Sequence, residues 1–452
     1  MPENISEVAF AWVNMGLPHM LDKQIASKKF LVSPDRSMTS DARNDLENYA
    51  ILGGSPMFDK PLHVNKPWAG ERRKFDRYLD AAWETRRFAN DGPLALELER
   101  RLEDRLGVAN CVLMSNGTAA MALLLHELGI SGEVILPSFT FVSTAHTLMM
   151  QGLQPVFCDV DRDSWNMSAA HCAELITDKT AAIIPTHAFG RACEVESIQA
   201  IAERAGIALV MDAAHAFDCS SNGQKIGAFG DAEVFSFHAT KAFHTGEGGA
   251  VTCQDAGLAE RLRLARNFGF IGHGRVNGVG TNAKMSELSA AMGLTNLDGF
   301  DASVEKNKAV YQAYVEALAG VPGISLMPFD ENETNNYWYI AAQLLPEFGI
   351  SRDLVLKILH AENVLARRYF FPGCHDMQPY CGMPAGTEAH LPNTEAITDT
   401  CLILPGGSEV DPQDARSICA LLAGIVDNAA ALAEHLRWSA DQQAGPERSG
   451  SF

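Results

Sequence analysis

The run Phe235-Ser-Phe-His-Ala-Thr-Lys241, followed by Glu247-Gly-Gly249, holds the residue best suited to covalent chemistry. A lysine six positions after Phe235, just past an apolar run that reads as a buried strand, falls where an α/β sheet meets its ligands. Its polar neighbours are small, so its amine could be partly desolvated. Desolvation lowers a lysine pKa and makes the amine a better nucleophile. A solvated loop lysine is the other reading, and this segment alone does not separate the two.

A second run, Ala208-Leu-Val-Met-Asp212-Ala-Ala-His215, puts a carboxylate at the end of an apolar strand. A buried carboxylate needs a cation or strong donors. A protonated pyridine nitrogen would serve, because the pairing keeps that ring cationic and able to accept electron density. A helix cap or a structural ion pair would serve as well. Met114-Ser-Asn-Gly-Thr118 reads as a strand, a glycine turn and a helix start. Gly117 lets backbone approach closely, and the amides around Thr118 make an anion site suited to a phosphate.

The elements that must position these residues alternate. A helix through Phe75–Trp83 ends at Asn90-Asp-Gly-Pro93, where a helix over Leu94–Leu106 begins. Strands follow at 111–114, 133–136, 155–158, 181–185, 208–211, 234–237 and 249–252, with helices at 118–128, 142–151, 195–205 and 258–266. Short apolar strands between amphipathic helices predict an α/β fold with a mostly parallel sheet covered on both faces. A second region from about 300 holds a helix over Asp301–Leu318, strands near Tyr337–Leu345, and helices over Leu354–Glu362 and Asp414–Arg437. The expected organisation is an N-terminal extension (1–55), a large domain (56–300), a smaller α/β domain (301–438) and a disordered tail (439–452). The extension carries a short helix near Val8–Leu21 and a basic patch at Lys28-Lys29.

Five segments together resemble the DegT/DnrJ group of sugar aminotransferases, fold-type I pyridoxal-phosphate enzymes with the aspartate aminotransferase-like fold. They are Ser115-Asn-Gly-Thr118, Pro137-Ser-Phe-Thr-Phe141, Asp212-Ala-Ala-His215, Ser236-Phe-His-Ala-Thr-Lys241 and Gly280-Thr-Asn-Ala-Lys-Met-Ser-Glu287. The resemblance runs from about Pro61 to Ala423. It implies pyridoxal 5'-phosphate as cofactor and Lys241 as the lysine that bonds to it and then carries the proton. It implies Asp212 at the pyridine nitrogen and His215, a glutamine in many relatives, near the ring hydroxyl. Phe141 stacks on the ring, and Gly117, Thr118 and Ser236 hold the phosphate. Asn282 first, and Lys284 second, are expected to complete the phosphate site of a partner subunit, which implies a homodimer with shared active sites. Arg367, Arg368, Tyr369 and His375, in a segment resembling the family's sugar-facing loop, are candidates for the diphosphate or sugar; a surface Arg pair and a packed His are the plainer reading. The expected reaction uses L-glutamate as amino donor and a nucleotide-linked keto sugar as acceptor. Pro61-Leu-His-Val-Asn-Lys-Pro67, with the 280–287 run, favours 4-amination of a dTDP-4-keto-6-deoxyhexose. Amination at C3 shares every motif, a pyridoxamine-dependent dehydratase would carry histidine in place of Lys241, and a cofactor-binding regulatory protein without turnover is the non-enzymatic alternative.

Composition narrows the partners. The 452 residues are 47% hydrophobic and 20% charged, with a formal net charge of −20. Such a field repels nucleic acid and anionic membranes, and no basic stripe offsets it. Any phosphorylated ligand must therefore be held by local donors. No window reaches the roughly 18 apolar residues of a membrane span. An acid follows Met-Pro where a signal peptide would be basic, so a cytoplasmic protein is expected. The ten cysteines form no C-x-x-C pair and read as reduced structural thiols, and no metal-ligand cluster appears.

Overall fold

A computed structural model describes residues 46–381 and 390–443, with side chains as far as 436. The described residues fall within one compact unit. The helix expected near Val8–Leu21 and the Lys28-Lys29 patch lie outside the described residues, as do 444–452.

In chain order the first half holds β1 (Leu62–His63), α1 (Arg72–Thr85), α2 (Pro93–Leu106), β2 (Asn110–Met114), α3 (Gly117–Glu127), β3 (Glu133–Pro137) and α4 (Val142–Met150). Next come β4 (Gln154–Cys158), α5 (Ala169–Glu174), β5 (Thr180–Ile183), α6 (Val195–Ala205), β6 (Ala208–Asp212) and a short hairpin of β7 (Ser220–Ser221) and β8 (Gln224–Lys225). β9 (Ala232–Ser236), β10 (Gly249–Cys253) and α7 (Ala256–Ala265) lead to a hairpin of β11 (Phe270–Gly272) and β12 (Arg275–Val276). The remainder is α8 (Glu287–Leu297), α9 (Phe300–Leu318), β13 (Ile324–Leu326), β14 (Ile340–Leu344), α10 (Arg352–Ala361), β15 (Val364–Leu365), α11 (Pro392–Thr400), β16 (Cys401–Leu404), α12 (Pro412–Asp427) and α13 (Ala429–Gln443).

Seven strands form the main sheet in the order β2-β10-β9-β6-β5-β3-β4. β10 runs antiparallel to both neighbours and every other pair is parallel. All strands but β10 therefore end at one edge, so Met114, Pro137, Asp212 and Ser236 open onto the same surface. The strands are buried on both faces, which is why they read as continuous apolar runs without alternation. A smaller antiparallel sheet, β13-β14-β16, packs with α9, α10 and α12 around its own core. The ten cysteines carry no disulfide, and all but Cys381 are buried. Among the described residues no single helix is long and apolar enough to cross a membrane.

Three expectations need correction. The stretch from Gly280 towards 300 contains a helix, α8, that sequence reading passed over. It is buried nearly all round, through Ala290, Ala291, Gly293, Leu294, Thr295 and Asn296, so it lacks the polar face that reveals an amphipathic helix. The helix expected over Asp414–Arg437 is two helices bent by 78° at Asn428. There the Asn428 side-chain amide donates to the Gly424 carbonyl at 2.9 Å and closes α12. Disorder was expected from 439, but α13 continues to Gln443, as its run of good helix formers from Ala429 allows.

Candidate active site

Asp212 ends β6 at the common edge and is 8% exposed. Thr144 on α4 donates its hydroxyl to Asp212 Oδ2 at 2.7 Å, and the Ala214 amide donates to Oδ1 at 3.1 Å. The carboxylate is thus held by two donors with room for one further cation. Lys241 follows β9 in a turn closed by its own amide on the His238 carbonyl at 2.9 Å. Desolvation brings the Lys241 amine down to about 8, and Asp212, near enough to attract the ammonium, opposes the fall. The amine expected to bond the cofactor thus lies within electrostatic reach of the carboxylate expected to face it.

His215 lies on the same floor, stacked on Phe370 (centroids 5.8 Å, 6° between planes) and on Phe189 (5.8 Å, 17°), with Tyr339 at 4.5 Å. The Phe189 amide donates to His215 Nδ1 at 3.3 Å, which leaves the ring proton on Nε2. Burial, with the Lys241 charge added, holds His215 well below the ordinary histidine value. It is a neutral donor, the hydrogen-bonding role a glutamine amide can also fill. Asn336 fixes the loop below by donating to the His215 carbonyl at 3.0 Å and the Phe217 carbonyl at 3.1 Å.

Gly117 and Thr118 open α3 between β2 and β9. The Asn116 side chain caps the helix by accepting from the Ala119 amide at 2.8 Å, so the cap does not consume the Gly117 and Thr118 amides. A Cβ on Gly117 would sit 3.1 Å from Ser236 Cβ. One on Gly249 would lie 2.6 Å from the Gly117 nitrogen, which explains the glycine there: β10 must start against this turn. The Thr118 hydroxyl bonds Ser143 at 2.6 Å. Phe141, the residue before α4, leaves an apolar side chain 52% exposed at the same edge. A glycine-lined helix start with a serine beside it, a carboxylate held ready for a cation, an amine brought within reach of its neutral form and an uncovered aromatic ring fit a phosphorylated pyridine aldehyde.

The remaining expected residues divide. Arg367 donates to the Tyr369 hydroxyl at 3.4 Å, and its charge reaches Tyr339, the ring against His215. Arg368 instead packs over Phe371 at 4.3 Å and pairs with Asp353 on α10 at 3.3 Å, so the structure does not bring it to Lys241. His375 is a packed histidine: Nδ1 bonds the Ser138 hydroxyl at 2.6 Å, and the Cys374 amide donates to the Ser138 carbonyl at 2.9 Å, pinning this segment beyond β3. Asn282 accepts from Lys284 Nζ at 2.8 Å at the surface, while the Ala283 carbonyl takes the Ser115 amide at 2.7 Å. Their loop thus lies beside the α3 turn of its own chain.

Sequence reading missed Thr144, Phe189, Asn336, Tyr339 and Phe370. Thr144 carried a signal, since it stands one helical turn after Phe141. Phe370 lay inside the segment already singled out, next to Tyr369, whereas Phe189, Asn336 and Tyr339 come from distant segments and had none.

Residues 70–423 match the model of the DegT/DnrJ/EryC1/StrS aminotransferase family. A dTDP-4-amino-4,6-dideoxy-D-glucose transaminase of Shigella dysenteriae is 36% identical over 352 residues, 78% of this chain and 95% of that protein. A GDP-perosamine synthase of Caulobacter vibrioides is 33% identical over 358 residues, 77% of this chain and 93% of that protein. The crystal structure of DesI in the presence of its TDP-sugar product is 42% identical, with a TM-score of 0.83, and the match covers 87% of this chain and all of that one.

Proposed function

The chain belongs to the DegT/DnrJ/EryC1/StrS aminotransferase family, and on that premise we propose that it moves an amino group from L-glutamate to C4 of a dTDP-4-keto-6-deoxyhexose, using pyridoxal 5'-phosphate. The observation that carries the reading is the Lys241 amine, brought down to about 8 in the pocket where Thr144 holds the Asp212 carboxylate. The dTDP-sugar comes from the Shigella relative and the TDP-sugar of DesI, both similar over most of the chain.

The cofactor, when bound, supplies the electron sink for bond breaking at the amino-bearing carbon. The Gly117 and Thr118 amides with the Ser236 hydroxyl would hold its phosphate, Phe141 would cover its ring, and Asp212 would keep the ring nitrogen protonated. His215 would donate Nε2–H to the ring hydroxyl. Lys241 takes a proton from one carbon and returns it to another, which requires an amine that can be neutral and charged near working pH. Glutamate and the keto sugar use this pocket in turn. Arg367 and Tyr369 face the acceptor. Asn282, then Lys284, complete the site of a second copy in a homodimer. The division near residue 300, between a cofactor half and a smaller half, and a cytoplasmic location belong to the same proposal.

The test is direct. Enzyme loaded with the cofactor, given glutamate alone, loses the cofactor's visible absorbance in a single turnover. No change would favour a cofactor-binding regulator. With dTDP-4-keto-6-deoxyglucose added, mass spectrometry and NMR of the product show an amine at C4; an amine at C3 would overturn that assignment. Lys241→Ala abolishes the transfer, and wild-type turnover by that variant would remove the lysine from its role.

A further inference from the structure

Residues 336–339 lead into β14 of the smaller sheet, yet their side chains reach two turns at the edge of the main one. Asn336 donates to the His215 and Phe217 carbonyls at 3.0 and 3.1 Å. Its own side-chain oxygen accepts the Trp338 amide at 3.1 Å, which ties the two residues together. Trp338 in turn donates its indole N–H to the Thr240 carbonyl at 2.9 Å, one residue before Lys241. Tyr339 sets its ring 4.5 Å from that of His215. One short segment therefore touches both the turn of His215 and the turn of Lys241.

The Thr240–Lys241 peptide is consequently held at both ends. Its N–H donates to the His238 carbonyl at 2.9 Å, which closes the turn, and its carbonyl takes the indole. A peptide unit is planar, so holding its two polar ends constrains the plane and the direction in which the Lys241 side chain leaves the backbone. The His238 ring adds a further hold, with Nδ1 2.9 Å from the Thr240 hydroxyl.

The brace is itself fixed. Asn336 and Trp338 are both fully buried, and Asn307 on α9 donates to the Asn336 carbonyl at 3.2 Å. A Cβ on Gly407 would lie 3.0 Å from Trp338 Cη2, so the indole packs against the turn after β16. Tyr337, between the two residues, takes a φ of +50°, which a bulky side chain adopts only when its surroundings impose it. Asn65, with its amide turned to suit its neighbours, also offers an oxygen 3.2 Å from the indole nitrogen; Thr240 is the nearer acceptor.

We propose that Trp338 is a positioning residue for amino transfer: its N–H, reaching from the smaller sheet, holds the peptide that aims Lys241, and with Asn336 and Tyr339 it keeps Lys241 and His215 at a fixed spacing. The proposal rests on the role given to Lys241 above. Trp338 acts through the turn and not on the reacting atoms. A lysine amine on its flexible four-carbon stem stays desolvated only while its backbone keeps it directed inwards. Without the hold the turn relaxes, the amine reaches water, and its pKa climbs towards that of an ordinary lysine.

Competitive acetylation of the full chain without cofactor tests this, using trace acetic anhydride across a pH series and reading Lys241 by peptide mass spectrometry. Only the neutral amine reacts, so the labelling midpoint reports its pKa. Two variants separate the N–H from the ring: Trp338→Phe, and replacement of Trp338 by 3-benzothienyl-L-alanine, which puts sulfur in place of the N–H at nearly the same shape. Both are expected to raise the Lys241 midpoint by about one pH unit from about 8, so that labelling at pH 7 falls about tenfold. A tryptophan that only fills space would leave the benzothienyl variant labelling like the wild type. That result overturns the proposal, even where Trp338→Phe shifts the midpoint or fails to fold. A wild-type midpoint at the ordinary lysine value would overturn both the proposal and the role of Lys241, whereas a wild-type midpoint near 8 that the benzothienyl variant leaves unmoved overturns the positioning alone.

Discussion

At Lys241 a single balance decides reactivity. Desolvation pulls the amine down and Asp212 pulls it back, leaving it near 8, where neutral and charged forms are both populated at working pH. The neutral amine attacks an aldehyde, so reconstitution of cofactor-free enzyme with pyridoxal 5'-phosphate is expected to accelerate as pH rises to about 8 and to level off above it. A rise continuing to pH 10 would mean an ordinary solvated lysine. His215 behaves in the opposite sense to a pH switch. Held well below the usual value by burial and by Lys241, it stays neutral, and its ring protons should show no titration by NMR between pH 5.5 and 8. Asp212 was legible because it ends an apolar strand, and Lys241 because it stands in the turn just past one, where a charged residue needs a reason. Tyr339 and Phe189 were not, because an aromatic residue in a distant segment reads as core until its neighbours are known.

At the scale of elements, Glu287 shows how the 280–287 run does structural work. Its buried carboxylate accepts from the Leu94 and Ala95 amides, both at 2.9 Å, and so caps α2 from another segment. A Cβ on Gly92 would strike that carboxylate at 2.4 Å, which accounts for the glycine before Pro93. Arg266 adds a second tie, donating to Glu99 at 2.6 Å, the Leu113 carbonyl at 2.7 Å and Asp91 at 2.9 Å. Together these hold the end of β2 and the loop of Asn282 and Lys284 as one body. Glu287→Ala, which orphans two helix amides, is expected to lower stability by about 2–4 kcal/mol in urea unfolding. A loss under 0.5 kcal/mol would show that the cap is dispensable.

The whole chain is acidic, and among the described residues a group of exposed apolar side chains lies around the β11–β12 hairpin. Phe268, Phe270, Ile271, Val276 and Val279 are 42–74% exposed there, close in sequence to Asn282 and Lys284. Scattered exposed apolar side chains are ordinary, but a group on one hairpin marks a contact surface. In the proposed shared-site homodimer a second copy would cover it. Val276→Asp is therefore expected to shift the protein towards monomer in sedimentation analysis and to weaken cofactor retention. A dimer that persisted with full cofactor would locate the interface elsewhere.

The chain by itself determined the alternating elements, the family resemblance and the lysine–aspartate pair, because strand burial and helix periodicity are local properties written in consecutive residues. It did not determine that Arg368 pairs with Asp353, that His375 ties down a loop, that α8 exists, or that His63 and Lys66 meet Glu409 from the far end of the chain. Those depend on which distant segments the sheet edges bring together.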